Sequence, residues 1–380
     1  MTDVTNTLAE NIRLRRRELH MTQGELAARL GYSAKAISKW EQGGGTPPTV
    51  LLPALANALR TNIDDLMTAP TKKKYFLGID GGGTKTEFAL ADADGTILRS
   101  VILGTSNPSD VGIDAALNVL RAGITEVCER IPLGNVSLFA GLAGGSTEGI
   151  YEQLSAFFSR FGFERVAHGS DAMNAVAAGL GASDGIAVIM GTGSVTFAKC
   201  KGKTYRVGGY GYLLGDAGSG FALGSEAIHG ALSFEDGSGE ETVLYDLVKE
   251  ACGTERVLDS LGAFYSGGKR TIAQYAPLLL KAYLMGDAVA ERILLRNMEA
   301  VARTIRGAAK RLPENGEAIK VALCGGLCTK EDTIANVLRP ILSGEGREYS
   351  VTICKEPMIN GALRLAGVTP KTETEERAKC

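Results

Sequence analysis

From residue 75 onward the chain alternates short apolar runs with glycine clusters. Tyr75-Phe76-Leu77-Gly78-Ile79 leads into Asp80-Gly81-Gly82-Gly83-Thr84-Lys85-Thr86, and Phe88-Ala89-Leu90 comes next. Apolar runs flanking a Gly cluster predict strand, turn, strand. Asp92-Ala93-Asp94-Gly95 supplies a second turn and residues 96–103 a third strand. Helical spacing covers residues 115–128 and about 150–161. An apolar strand at 136–142 lies between them, and a short one at 166–168 comes after. Strands alternating with helices predict an α/β sheet with parallel strands. The opening pattern then returns. Ile186-Ala187-Val188-Ile189-Met190, the turn Gly191-Thr192-Gly193-Ser194 and residues 195–200 are followed by the turn Lys201-Gly202-Lys203 and a strand at 204–207. Two copies of strand, loop, strand, turn, strand, about 110 residues apart, imply two half-domains facing across a cleft.

The first seventy residues are patterned differently. Leu8, Ile12, Leu14 and Leu19 recur at helical spacing around the basic cluster Arg13-Leu14-Arg15-Arg16-Arg17. Thr22 with Glu25 makes a capping box for a helix over 23–30, which Gly31 ends. Ser33 caps a second short helix over 34–42 that stops at Gly43-Gly44-Gly45. Pro47-Pro48 opens a fourth helix through Leu51, Leu55 and Leu59, and residues 63–67 suggest a fifth. Two short helices around a tight turn predict a helix-turn-helix. Thr68-Ala69-Pro70-Thr71 and Lys72-Lys73-Lys74 read as a polar linker to the α/β region.

Composition narrows the possibilities. At 380 residues, two or three domains are expected, and 44% apolar with 22% charged residues is a globular profile. A net charge of −2 argues against bulk attraction to nucleic acid or a membrane surface. Residues 1–70 hold eight basic and seven acidic side chains, so DNA affinity there would lean on dimerisation and on the local arginine cluster. Seven scattered cysteines fit reduced thiols better than a disulfide framework. With no apolar run of about 20 residues and no apolar leader, a cytoplasmic protein without a membrane partner is expected.

The candidate chemistry sits on turns. Gly81, Gly82 and Gly83 lack Cβ atoms, so the turn is free to adopt positive φ and to present backbone N–H groups to an anion. Thr84 and Thr86 add hydroxyls, Lys85 adds charge, and Asp80 is placed to hold a hydrated Mg²⁺. The second turn, Gly191 to Ser194, repeats the theme, and two such loops facing each other would grip a polyphosphate. Asp171 stands at a strand-to-helix turn ahead of residues 172–180. An Asp there ordinarily caps the helix, but it is also where a carboxylate would orient a hydroxyl and accept its proton during phosphoryl transfer. Cys324-Gly325-Gly326-Leu327-Cys328 invites a metal or iron–sulfur reading, yet its spacing fits no common four-ligand site.

These residues carry two resemblances. Residues 21–43, MTQGELAARLGYSAKAISKWEQG, resemble the lambda-repressor and Cro-type helix-turn-helix family. That likeness implies a double-stranded DNA operator bound by a homodimer. Ser33, Ala34, Lys35 and Ser38 would lie nearest the base edges, with Arg16, Gln23 and Lys39 on phosphates. Residues from about 75 to 368 resemble the actin/hexokinase/Hsp70 superfamily, in the branch of N-acetylglucosamine kinase and the BadF/BadG ATPase-like proteins. The likeness is carried by 78–86, Ser106-Asn107, Ser170-Asp171-Ala172, Gly191-Thr192-Gly193-Ser194, Gly208-Gly209-Tyr210-Gly211, Gly215-Asp216 and Cys324-Gly325-Gly326.

The second likeness implies a duplicated, ribonuclease H-like two-lobe kinase fold behind a small all-α domain. Boundaries would fall at 1–68 for the helix-turn-helix, 69–74 for the linker, 75–181 for the first lobe with 357–368 returning to it, 182–356 for the second lobe and 369–380 for a polar tail. It implies ATP and Mg²⁺ as cofactors. Asp80 to Thr86 and Gly191 to Ser194 would bind phosphates, and Gly325 and Gly326 adenosine. Asp171 would be the general base, and Ser106, Asn107, Gly209, Tyr210 and Asp216 would contact the sugar. Val195, Ala217 and Tyr210 depart from residues common in the kinases, namely Asn, Glu and Trp. The resulting expectation is an ATP-dependent amino-sugar kinase fused to a DNA-binding regulator. The alternative is a regulator whose kinase fold senses sugar without phosphorylating it.

Overall fold

The computed structural model describes residues 4–19, 21–68, 73–129, 131–329, 332–344 and 346–371. Residues 69–72 of the expected linker and 372–380 of the expected tail lie outside them. The chain divides into two compact units, residues 1–73 and 74–380.

The first unit is all-helical: α1 (Val4–Glu18), α2 (Gln23–Leu30), α3 (Ala34–Glu41), α4 (Leu52–Ala58) and α5 (Ile63–Met67). The capping box forms as the sequence predicts. Thr22 accepts from the Glu25 N–H while Glu25 accepts from the Thr22 N–H. Gly31 closes α2 at φ 73°, in the left-handed conformation that glycine adopts without strain. Ser33 caps α3. Leu8, Ile12, Leu26, Ile37, Trp40, Leu55, Leu59 and Leu66 meet in one core.

The second unit holds two five-stranded sheets. The first sheet comprises β1 (Tyr75–Gly81), β2 (Lys85–Asp92), β3 (Ile97–Gly104), β4 (Val136–Leu142) and β5 (Arg165–Gly169), in the order β3-β2-β1-β4-β5. The second comprises β6 (Gly185–Met190), β7 (Ser194–Cys200), β8 (Lys203–Val207), β9 (Ile319–Cys324) and β10 (Tyr349–Ile353), in the order β10-β9-β6-β7-β8. Each sheet begins with two antiparallel pairings and continues with two parallel ones, so the duplication read from the sequence is one of topology. The helices are α6 (Pro108–Val111), α7 (Ile113–Val127), α8 (Ile150–Phe158), α9 (Ala172–Leu180), α10 (Gly220–Glu235), α11 (Leu244–Cys252), α12 (Leu261–Ala273), α13 (Ala276–Leu284), α14 (Ala288–Ala309), α15 (Gly326–Thr329), α16 (Thr333–Leu342) and α17 (Met358–Ala366). Among the described residues no helix is long and apolar enough to cross a membrane.

Two helices meet beside the first sheet. α9 leaves the end of β5 and packs with Ala175, Val176, Ala178 and Leu180 against Ala187, Ala322 and Cys324 of the second sheet. α17 covers the first sheet with Ile359, Ala362, Leu363 and Ala366. The two helices touch backbone to backbone at Gly361, where a Cβ would overlap the Asn174 carbonyl oxygen and stand 2.8 Å from the Ala178 nitrogen. Gly361→Ala is therefore expected to destabilise the second unit by about 1–3 kcal/mol, the range for overpacking a filled interior. A fall in the denaturation midpoint at unchanged m-value would show it.

Candidate functional site

In the first unit the structure leaves one exposed face and closes another. Ser33, Ala34, Lys35 and Lys39 are exposed along α3, and Ser38 is half-buried. Arg16 is not on that face. It is buried, and its guanidinium makes a two-pronged ion pair with Glu41 (Nε–Oε1 2.5 Å, Nη2–Oε2 2.9 Å) and donates to the Met21 carbonyl at 2.6 Å. Gln23 donates to Glu41 Oε2 at 2.8 Å. Burial pushes the Glu41 carboxyl up, but the Arg16 and Gln23 hydrogen bonds outweigh it and hold the group below its ordinary range. Arg16 thus has a structural partner instead of a phosphate, and the Gln23 amide is shared with the same carboxylate.

In the second unit the glycine loops lie at the carboxyl ends of β1 and β6. None of Gly81, Gly82 and Gly83 has positive φ, contrary to the sequence expectation. Their missing Cβ atoms serve close approach instead. A Cβ on Gly81 would stand 2.5 Å from Leu142 Cδ2 and 2.6 Å from Ser106 Oγ, and one on Gly83 would stand 2.5 Å from Arg270 Nη2. The Gly82 N–H closes the turn onto the Lys85 carbonyl at 2.9 Å. Thr84 and Lys85 are exposed at its tip. Thr86 is fully buried and its hydroxyl pairs with Ser106 Oγ at 2.8 Å, while Ser106 is 1% exposed. Neither hydroxyl is therefore presented to a ligand, and the expected roles of Thr86 on phosphate and Ser106 on sugar are corrected to a hidden pair behind the loop.

The second loop is held by backbone bonds. Gly191 N–H donates to Gly193 O at 2.9 Å, and Gly191 O accepts from Gly220 N–H at 2.7 Å. Ser194 Oγ donates to the Ala217 carbonyl at 2.8 Å, so its proton is engaged. Thr192 is half-buried. Nothing lies within 4 Å of where a Cβ of Gly191 or Gly326 would stand, so both backbones border open space. Gly325, at φ 100°, abuts the Met190 carbonyl at the end of β6, which brings the Gly325-Gly326 turn beside the second loop.

One helix reaches the first loop directly and the second through Gly220. Arg270 of α12 donates to Gly83 O at 2.7 Å and to Asp110 Oδ2 at 2.6 Å. Three residues on, Ala273 packs against Gly220, whose N–H holds Gly191. Sequence reasoning did not single out Arg270.

Two carboxylates lie at the mouth of the first sheet. β1, β4 and β5 run parallel in register, with Asp80 beside Gly141 and Gly141 beside Gly169, and Asp171 stands two residues beyond. Asp171 caps α9: its Oδ1 accepts from the Ala172 N–H at 3.0 Å and from Ser170 Oγ at 3.1 Å. Burial raises the Asp171 carboxyl, while the Ser170 and Ala172 donors oppose the rise. Asp80 Oδ1 accepts from Asn174 Nδ2 at 2.7 Å. Burial first, then the charges of Asp171 and Glu87, push Asp80 up to about 6, against the Asn174 bond and Lys85. Each acid thus has one oxygen fixed by the fold. Capping and base roles are compatible for Asp171, because both of these bonds use Oδ1. Hard carboxylate oxygens bonded to amides and a hydroxyl, with charge of one sign in excess, form a donor set that fits Mg²⁺. The open glycine backbones fit a nucleotide.

The remaining expected sugar contacts divide between two places. Asn107 caps α6, accepting from the Ser109 N–H and donating to Asp110, close to Gly144. Gly209, Tyr210 and Asp216 share the loop 208–219, in which Gly208, Gly209, Gly211, Asp216 and Gly218 all have positive φ. Tyr210, Tyr212, Leu213 and Leu214 are exposed there. Asp216, at φ 61°, is buried, accepts from the Gly211 N–H at 3.1 Å and lies against Gly193 of the second loop.

Two measurements test these assignments. Arg16→Met leaves the buried Glu41 charge with the Gln23 amide but no cation, so the first unit should lose about 3–5 kcal/mol. Fluorescence of Trp40, the chain's single tryptophan, reports that unit alone. For Asp80 the folded-state carboxyl is raised from 3.8, so its stabilising contribution is complete below about 4 and is lost as pH rises through about 6. Asp80→Asn should therefore melt higher than the parent at pH 8, with the gap closing toward pH 4.

Comparison with known proteins accords with this geometry. Residues 77–363 match the BadF/BadG/BcrA/BcrD ATPase family, and residues 12–66 match a helix-turn-helix family. An N-acetylmuramic acid/N-acetylglucosamine kinase of Clostridium acetobutylicum is 28% identical, over 77% of this chain and 98% of the relative. An N-acetyl-D-glucosamine kinase of Dictyostelium discoideum is 27% identical, over 77% of this chain and 97% of the relative. A Chromobacterium violaceum crystal structure, provisionally assigned as an N-acetylglucosamine kinase, superposes with a TM-score of 0.59 at 27% identity, over 78% of this chain and 99% of that one. The protein belongs to the BadF/BadG/BcrA/BcrD ATPase family and carries an N-terminal helix-turn-helix domain.

Proposed function

We propose that the second unit transfers the γ-phosphoryl group of ATP to a hydroxyl of an N-acetylated amino sugar, and that the first unit reads an operator as a homodimer. The observation that carries the reading is Asp171, a largely buried acid at a helix N-terminus, one oxygen held by the fold, beside the second acid Asp80. The kinases similar to this chain, named for N-acetylglucosamine and N-acetylmuramic acid, supply the substrate class.

On this reading Asp171 orients the sugar hydroxyl and takes its proton as the phosphorus–oxygen bond forms, while ADP leaves. Backbone N–H groups of residues 83–84 and 192–193 position the phosphates, those of Gly82 and Gly191 being engaged in closing the turns, with Lys85 and Arg270 supplying positive charge at the first loop. Gly325 and Gly326 border the adenosine. A magnesium ion held through water by Asp80 would neutralise phosphate charge. Asn107, Gly209, Tyr210 and Asp216 contact the sugar. Ser33, Ala34, Lys35 and Ser38 approach base edges, and Lys39 a phosphate. Sugar occupancy changes operator affinity, which makes the protein a metabolic regulator.

A coupled ATP-consumption assay over a panel of amino sugars tests the enzyme. The native protein should turn over with an N-acetylated amino sugar, and Asp171→Asn should lose about 10²–10⁴-fold in kcat with little change in sugar KM. Because Asp171 is raised and must be ionised to accept a proton, kcat should fall on the acid side at a higher pH than for an ordinary Asp. Operator binding that responds to sugar in a protein without turnover would instead select a pure sensor.

A further inference from the structure

Asn174 is a fully buried amide in the apolar run Ala172-Met173-Asn174-Ala175-Val176 of α9. Its Nδ2 donates to Asp80 Oδ1 at 2.7 Å and lies 3.2 Å from the Ile79 carbonyl and 3.4 Å from that of Gly141. Its Oδ1 is buried without a hydrogen-bond partner among the described residues. A leucine would fill the same volume without leaving an acceptor unpaired. One glycine accommodates the amide and another the backbone that carries it. A Cβ on Gly141 would overlap the Asn174 side chain, and one on Gly361 would overlap its backbone oxygen. The chain thus tolerates an unpaired buried oxygen and an obligatory glycine at 141 around a bond to one carboxylate. That carboxylate faces the site, and the same helix carries Asp171 one turn earlier.

We propose that Asn174 is a positioning residue for phosphoryl transfer, fixing the Asp80 carboxylate from the same helix that sets Asp171, so that the two acids keep one separation. With Oδ1 held by the amide, Oδ2 is the oxygen by which Asp80 would hold a hydrated cation. The role rests on the reading of Asp80 as the residue that holds Mg²⁺. Residues that orient the groups around a metal typically matter 10–100-fold for metal affinity or activity.

The test measures thermal stabilisation of the full-length protein by ADP across a Mg²⁺ titration, for the native chain, N174L, N174S, D80N and D80N/N174L. Mg²⁺ should enlarge the ADP shift in the native protein, and D80N should abolish that increment. N174L should need about 10–100-fold more Mg²⁺ for the same increment while keeping the shift caused by sugar alone. The double variant should match D80N, since Asn174 acts only through Asp80. Should N174L melt too low to measure, N174S, which shortens the donor, gives the same comparison. Native Mg²⁺ dependence in a folded N174L or N174S, or a further loss in the double variant, overturns the proposal. If D80N keeps the Mg²⁺ increment, the metal role of Asp80 falls and this proposal with it, whereas the kinase reading is judged separately by Asp171→Asn.

Discussion

Two like charges held close together and largely out of water are the constraint from which the second unit is built. Desolvation and mutual repulsion both disfavour ionised Asp80 beside ionised Asp171, and the fold answers with dipoles: the first N–H of α9 and a serine hydroxyl for one, an amide for the other. Those dipoles help only if α9 stays in place. Its apolar face lies on the second sheet, and its backbone is clasped by α17 across a glycine contact. Residual negative charge in such a crevice makes the empty protein less stable than it need be and favours whatever brings cations in, the usual conflict between stability and a working site.

Much of the architecture was legible from the chain because apolar period and glycine punctuation both mark strand ends. α2 and α9 fall at the residues expected, and the repeated strand–loop–strand appears as two sheets of matching order. Where the reading fell short, the missing information was tertiary. Residues 272–284 carry an apolar pattern with no obvious stop, yet α12 ends at Ala273 and α13 begins at Ala276 with Pro277 in its first turn. β10 and α10 escaped notice, since a short alternating strand and a glycine-rich helix give weak periodic signals.

The candidate site shows the same division. The types of residue at the loops were readable, but which way each side chain turns was not. Thr86 and Ser106 looked like ligand hydroxyls until strand pairing placed Thr86 opposite Gly81, facing inward. Arg16 looked like one more member of a basic cluster, yet Glu41, distant in sequence, draws it into the core. Asn174 did carry a signal: a lone amide among alanines and valines, one turn past a candidate base, has to find its partner inside the protein.

The loop over 208–219 has a different kind of origin. Five of its residues sit in the left-handed region, one of them an aspartate, and its far end is pinned where Gly218 packs on Val301 and donates to Asn297. Such a path cannot relax into helix or strand when its side chains are exchanged. Tyr210, Leu213 and Leu214 stand on it like interchangeable fittings on a fixed rail, while Tyr212 is tied to Phe221. Descendants of this chain could acquire new ligand preferences there by replacing those three residues, with no change to the frame beneath.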